Sequence, residues 1–189
     1  MVLVDQWFLV ERAKQGEVVC FPTDTVPALA VLPHKADLIY QLKGRDRAKP
    51  LILMAATWQQ LQDYLESGIN CQEIVDTYFP GALTLVLPAN HLGRSLNLDH
   101  SSLGVRVPNH QVALAILAAT GPMLTTSANL SGQLPLRSAV EIDQTFRQIA
   151  VLEESEDWTG SGLASTVVAK QESGWQILRQ GAVVFRLNL

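Results

Sequence analysis

The chain has 189 residues, 48% hydrophobic and 17% charged, with a formal net charge of −4. That length fits one domain over residues 1–189, the apolar share excludes a disordered chain, and the acidic balance excludes a protein whose whole surface binds nucleic acid. Any anion site must be local. Cys20 and Cys71 are the only cysteines, too few for a disulfide framework, so a reduced, cytoplasmic protein is expected. The opening MVLVDQWFLVERAK lacks a basic leader, and the longest apolar helical run, VALAILAA at 112–119, is too short for a bilayer, so no membrane contact is expected. His34, His91, His100 and His110 have no ligand spacing with one another or with cysteine, and no structural metal is expected.

In chain order, residues 7–14 predict a short amphipathic helix closed by Gly16. EVVCF predicts a strand stopped at Pro22, and VPALAVLP a second strand that Pro27 weakens. A helix over 36–42 leads into a cationic stretch, and 51–54 is an apolar strand. TWQQLQDYLESG predicts a helix over 57–68 with Thr57 as N-cap and Gly68 beyond its end. A further helix covers 71–78 and is broken by FPG; ALTLVLP and LGVRVP are strands. HQVALAILAAT is a buried helix and PMLTT a short strand. SAVEIDQTFRQIA opens with Ser138 and Glu141 at capping-box spacing. The polar segment 153–162 predicts a long mobile loop, and STVVAK, GWQILR and AVVF close the chain as strands. Apolar strands alternating with helices predict an α/β sheet covered by helices, with antiparallel character at its C-terminal end.

The charge pattern poses the main question. In LKGRDRAKPLILM (residues 42–54), Lys43, Arg45, Arg47 and Lys49 alternate, so seven residues hold four of the 14 cations. An extended backbone would point all four one way, with Asp46 opposite, toward an anion at the end of a buried strand. A solvated loop would use the same residues, and spacing alone leaves both open. TTSANLSG (125–132) follows a buried strand with small hydroxyl and amide groups, among them Thr126, Ser127 and Asn129. Such groups bind phosphate or carboxylate oxygens, and they also bond their own backbone in turns. Thr23, Asp24 and Thr25 follow a strand in FPTDTVPA, where a helix N-cap or an Asx-turn would use the same residues. Arg179 lies between a strand and a glycine turn. The P-loop, G-x-G-x-x-G, G-x-S-x-G and H-E-x-x-H patterns are absent, so a nucleotide site here must be built from scattered pieces.

Together these pieces resemble the YrdC family of threonylcarbamoyl-AMP synthases, over nearly the whole chain. The family's PT-[DE]-T-x-Y-G-L stretch is matched by Pro22, Thr23, Asp24, Thr25 and Leu29, and its K-x-R element and following P-L strand by Lys43, Arg45, Pro50 and Leu51. P-G-x-x-T is matched by Pro80, Gly81 and Thr84, and V-R-x-P by Val105, Arg106 and Pro108. S-x-N-x-S-G is matched by Ser127, Asn129, Ser131 and Gly132. The S-T-V and L-R-x-G elements are matched by Ser165, Thr166, Val167, Leu178, Arg179 and Gly181. The chain departs at Pro27-Ala28, where the family has Tyr-Gly, and at Met54, where many longer relatives have histidine.

The resemblance implies an open, twisted mixed α/β sheet with a large positively charged groove. It implies condensation of L-threonine, bicarbonate and ATP into L-threonylcarbamoyl-AMP and pyrophosphate, with Mg2+ held mainly through the ATP phosphates. The product would pass to threonylcarbamoyl-transfer partner proteins that modify tRNA. Lys43, Arg45, Ser127 and Asn129 are the implied catalytic set. Thr23, Asp24, Thr25, Arg47, Lys49, Arg106, Thr126, Ser165 and Arg179 are the implied substrate contacts. The alternative is a double-stranded RNA-binding or regulatory module without catalysis, and a weak RNA contact fits either reading.

Overall fold

The computed structural model describes residues 3–96, 100–154, 158 and 160–186. Its strands are β1 (Leu3–Val4), β2 (Val19–Phe21), β3 (Ala28–Val31), β4 (Ile52–Met54), β5 (Leu83–Pro88), β6 (Ser102–Arg106), β7 (Met123–Ser127), β8 (Ala150–Leu152), β9 (Thr166–Gln171) and β10 (Gly174–Arg179). Its helices are α1 (Gln6–Lys14), α2 (Ala36–Lys43), α3 (Trp58–Gln62), α4 (Gln72–Tyr78), α5 (His91–Arg94), α6 (Gln111–Thr120) and α7 (Ala139–Thr145). The strands form one ten-stranded sheet in the order β1-β8-β2-β3-β7-β4-β6-β5-β9-β10. Antiparallel pairs run through its middle, at β2/β3, β3/β7, β7/β4 and β6/β5, as well as at β9/β10. The sheet is mixed, as expected, and the antiparallel character expected from the C-terminal strands at β9/β10 extends through its middle as well.

Strand alternation separates the two faces of the sheet. Leu53, Leu85, Val105 and Leu124 are in register and fully buried, and full burial of each such side chain is worth about 1.5–3 kcal/mol. One residue along, Ile52, Gly104 and Val86 are in register and only partly buried. This second face carries the site. Helices α1 and α6 pack together, α2 packs on β3, and α7 packs on β1 and β8.

Local chemistry explains where the elements stop. The helix expected over 57–68 ends at Gln62 because the next turn is captured by the end of β5. Asn90 Nδ2 donates to the carbonyls of Asp63 (2.9 Å) and Leu65 (3.1 Å), and the Glu66 amide donates to Pro88 O at 3.0 Å. The reciprocal capping box forms at Thr57 and Gln60. At Ser138 the side chain caps Glu141 N at 3.1 Å, while the Glu141 carboxylate accepts from Arg137 N instead. Residues 182–185 form no strand, since Ala182 N bonds Ala164 O and Val183 N bonds the Thr166 hydroxyl. The short elements β1, α5 and β8 carry too few residues for a periodic signal.

Of the segment expected as a mobile loop, residues 155–157 and 159 lie outside the described residues. The rest is docked: Trp158 is buried, Ser161 N donates to Asp24 O at 3.0 Å, and Gly162 N to Thr25 O at 2.8 Å. Gly160 has φ +52°, and a Cβ there would lie 2.4 Å from Thr23 O, so only glycine allows this approach.

Candidate active site

A cleft of about 620 Å3, counted to its open mouth, lies on the partly buried face of the sheet. Its floor is apolar, from Val26, Ala28, Ile52 and Met54. Its walls carry three arginines, Arg45, Arg106 and Arg179, with hydroxyls from Thr23, Thr25, Thr125, Thr126, Ser127 and Ser165. Among the described residues no carboxylate lines it.

The first wall is built by α2 and β7. Ile39, Tyr40 and Lys43 form the buried face of α2, at the spacing of successive helical turns. Gly44 then ends the helix in the left-handed conformation at φ 57°. Lys43 thus faces inward, 3% exposed. Its Nζ donates to Thr126 Oγ1 (3.3 Å), Asn129 Oδ1 (3.3 Å) and the Ser127 carbonyl. Ser127 Oγ donates to Asn129 Oδ1 at 2.5 Å, and Asn129 Nδ2 donates to the carbonyls of Leu130 and Gln133, both at 2.8 Å. Burial, and then the charge of Arg45, lower the Lys43 pKa from 10.5 to about 7, opposed by the Cys20 thiol. The three oxygen acceptors around Nζ favour the ammonium form.

Arg45 reaches the cleft with its guanidinium held by Lys49 O (Nε, 3.0 Å) and Pro50 O (Nη2, 3.1 Å), and burial pulls its pKa down. Of the two readings that the spacing left open, the extended row of four cations does not form, because a helix end and a turn stand in its place. Asp46 makes that turn, its Oδ1 accepting from Ala48 N at 2.9 Å. Arg47 pairs with Asp37 at 2.8 Å and stacks on Tyr40, 5.6 Å from the ring centroid. Lys49 is exposed. Neither lines the cleft.

Arg106 supports the second wall from β6. It is 4% exposed and donates to Asp24 Oδ1 (2.6 Å), Thr25 Oγ1 (2.8 Å) and Gly81 O (3.0 Å). Burial pulls its pKa down, Asp24 opposes that, and Arg179 adds to it. Thr23 Oγ1 lies 2.9 Å from Thr25 Oγ1 and donates to Val26 O at 2.7 Å. The 23–25 turn is held by the Thr23 hydroxyl, which also accepts from Thr25 N at 3.2 Å, and it is a cleft wall at once, with Asp24 spent on Arg106. The third wall is Arg179, whose Nε and Nη2 donate to Ser165 O at 3.2 and 2.9 Å. Ser165 Oγ in turn lies 2.8 Å from Thr84 Oγ1.

The fold thus brings Thr23, Thr25, Arg45, Arg106, Thr126, Ser127, Ser165 and Arg179 to one cleft. It sets Lys43, Asn129 and Asp24 one layer behind, through the contacts given above, and leaves Arg47 and Lys49 outside. Sequence reasoning missed Thr125, which lines the cleft and donates to Ile52 O at 3.1 Å. Its signal was available, since it lies two residues before Ser127 on the same face of a strand. Among the described residues no three His, Cys, Asp or Glu side chains gather into a metal cluster, and no helix is long and apolar enough to cross a membrane.

The sequence matches the family model Sua5/YciO/YrdC, described as telomere recombination, over residues 11–181. A threonylcarbamoyl-AMP synthase of Bacillus subtilis is 32% identical over 179 residues, covering 90% of this chain and 51% of the relative. One of Idiomarina loihiensis is 32% identical over 164 residues, covering 82% of this chain and 85% of the relative. The structure of P. abyssi Sua5 complexed with L-threonine superposes with a TM-score of 0.86 at 28% identity, covering 94% of this chain and 55% of that one. E. coli YciO shares the fold, with a TM-score of 0.79 at 23% identity over 94% of this chain and 90% of its own. The chain spans about half the length of the Bacillus subtilis and P. abyssi proteins. A ten-stranded mixed sheet, the motifs on it and these matches agree: the chain belongs to the Sua5/YciO/YrdC family, the family of the threonylcarbamoyl-AMP synthases.

Proposed function

We propose that the chain condenses L-threonine, bicarbonate and ATP into L-threonylcarbamoyl-AMP and pyrophosphate, for threonylcarbamoyladenosine modification of tRNA. The observation that carries this reading is the convergence of Arg45, Arg106 and Arg179 with Ser and Thr hydroxyls on one cleft that, among the described residues, no carboxylate lines. A site of that composition suits polyanions, and the similar proteins support the substrate class, since they include threonylcarbamoyl-AMP synthases and a Sua5 complexed with L-threonine.

Bicarbonate takes up a proton and loses water to give CO2, and the neutral threonine amine attacks that CO2, forming the carbamate and returning the proton. A carbamate oxygen then attacks the α-phosphorus of ATP, and the bond to the β-phosphate oxygen breaks to release pyrophosphate. Such a transfer needs position and charge stabilisation rather than a protein nucleophile. Arg45 and Arg179 bind phosphate oxygens, Ser127 and Thr126 orient them, and Lys43 and Asn129 hold that pair from behind. Arg106, with Asp24, Thr23 and Thr25, fixes the wall facing the amino acid, and Ser165 adds a hydroxyl there. The apolar floor at Ala28, Ile52 and Met54 receives the threonine methyl. Since Asp24 is already bonded to Arg106, the lining suits a Mg2+ carried on the phosphates and its own waters, with no carboxylate to hold the ion directly. Mg2+ would supply charge neutralisation on the phosphates. The product passes to transfer partners that modify tRNA.

The test is pyrophosphate release with each substrate omitted in turn and CO2 stripped from the buffer. Release is expected only when L-threonine, bicarbonate and ATP are all present. Release that ignores threonine would contradict the synthase reading, and no release beside salt-sensitive RNA binding would favour the RNA module.

A further inference from the structure

We propose that Thr166, which does not line the cleft, is the positioning residue for its third wall: its hydroxyl ties the 180–183 turn to the start of β9 and so holds Arg179 over the cleft. The inference rests on reading the cleft as an anion site and names what keeps one of its cations in place.

Thr166 is fully buried. Its Oγ1 accepts from Gly181 N at 2.9 Å and Val183 N at 3.3 Å, receives Gln180 Nε2 at 3.5 Å, and donates to the Val183 carbonyl. A hydroxyl offers one donor and two acceptor lone pairs, so the two backbone amides and the donated bond use its whole capacity, and Gln180 Nε2 at 3.5 Å only approaches it. The turn has no strand partner of its own. It is also held within itself by Gln180 Nε2, which donates to Val183 O at 2.8 Å, by Val183 packing on the core, and by close backbone approach: Ala182 N donates to Ala164 O at 2.9 Å, and a Cβ on Gly181 would lie 2.2 Å from Ala164 O and 2.5 Å from Ser165 O.

Arg179 enters this turn from an irregular register. Ile177 pairs with Val168 and Arg179 with Val167, so Leu178 is the extra residue of a bulge. A bulge re-aims the side chain beside it and weakens the ladder there. The ladder therefore does not fix Arg179 by itself. Arg106, another cation on the same cleft, repels it. The bonds of Arg179 to Ser165 O form only while the turn after it stays against residues 164 and 165. Thr166 supplies that hold with a methyl-bearing hydroxyl that valine matches in shape and lacks in polarity.

The experiment is calorimetric binding of inorganic pyrophosphate to the wild type, Thr166→Val, Thr166→Ser, Arg179→Ala and the Thr166→Val/Arg179→Ala double variant. Thr166→Val should weaken pyrophosphate about tenfold and Thr166→Ser less than about twofold. In the Arg179→Ala background the valine change should add nothing further. Gly181→Ala pushes the same turn off residues 164 and 165 while leaving the hydroxyl in place, and should give the same Arg179-dependent loss if the valine variant does not fold. Unchanged affinity in the valine and Gly181 variants, or an equal loss with and without Arg179, would overturn the inference alone. A wild type that does not bind pyrophosphate would overturn the anion reading of the cleft, and this inference with it.

Discussion

Lys43 and Arg47 lie four residues apart in one cationic stretch, yet Lys43 is 3% exposed beneath the cleft while the Arg47 side chain is 59% exposed and paired with Asp37. Charge does not decide their fates; backbone position does. Lys43 occupies the inward stripe of α2 with Ile39 and Tyr40, and Gly44 stops the helix immediately afterwards. Arg47 follows the Asp46 turn and is directed back along the outer surface of the same helix. The inward half of the stretch is committed to the site and the outward half to solvent, and each half should respond differently to substitution.

The largest effect is expected at Lys43. Lys43→Ala removes three hydrogen bonds from an ammonium, each worth about 1.5–3 kcal/mol, so synthase activity should fall roughly 100-fold or more and thermal stability should fall with it. Full activity in that variant would erase the contrast between the two halves. Arg45→Ala comes next, losing about 1.5–3 kcal/mol of phosphate contact, measured as a rise in the KM for ATP with little change in melting temperature. Arg45→Lys should recover only part, because a point charge does not replace a planar fork.

A pH titration sharpens the same contrast. The Lys43 pKa lies at about 7 in the free protein. A phosphate bound nearby favours the charged form, so ATP binding should take up a proton above pH 7, and affinity should weaken as pH rises from 7 toward 9. Calorimetry in buffers of different ionisation heat reads that proton. Folding runs the opposite way. Between about 7 and 10.5 the native state binds fewer protons at Lys43 than the unfolded chain does, so stability contributed by this group rises with pH across that window. ATP affinity that stays flat from pH 7 to 9, with no proton taken up on binding, would mean that Lys43 does not titrate in the free protein. The smallest effects belong to the outer half. Arg47→Ala and Lys49→Ala should each leave turnover within about twofold, and Arg47→Ala should cost roughly 0–1 kcal/mol, as exposed ion pairs do.

Much of this was legible in the sequence. The central strands and the helices over residues 6–14, 36–43 and 111–120 follow from apolar periodicity, and Thr57 and Ser138 from capping chemistry. Within the site, spacing left Ser127 and Asn129 open between an oxygen-binding pair and ordinary turn residues, and Arg179 as a lone arginine before a glycine turn; the family motifs, not the spacing, singled them out. Two things were not legible. Alternating cations look alike on a strand and on a helix end followed by a turn, and only the burial of Lys43 between α2 and β7 separates those cases. The strand order is also hidden, because β8 returns between β1 and β2 and β7 inserts between β3 and β4, pairings that local periodicity does not encode. The role of Arg106 as a brace for Asp24 and Thr25 depends on that order, since 81 residues separate it from Thr25.

The most direct measurement is calorimetric binding of a non-hydrolysable ATP analogue to two double variants, Arg45→Ala/Arg179→Ala from the cleft walls and Arg47→Ala/Lys49→Ala from the outer surface. Each pair removes two positive charges, so nonspecific attraction falls equally in both. The cleft pair should lose roughly 100-fold or more in affinity, from two charge-assisted contacts of about 1.5–3 kcal/mol each, while the outer pair stays within about twofold of the wild type. Equal losses in the two variants would contradict a nucleotide site in this cleft.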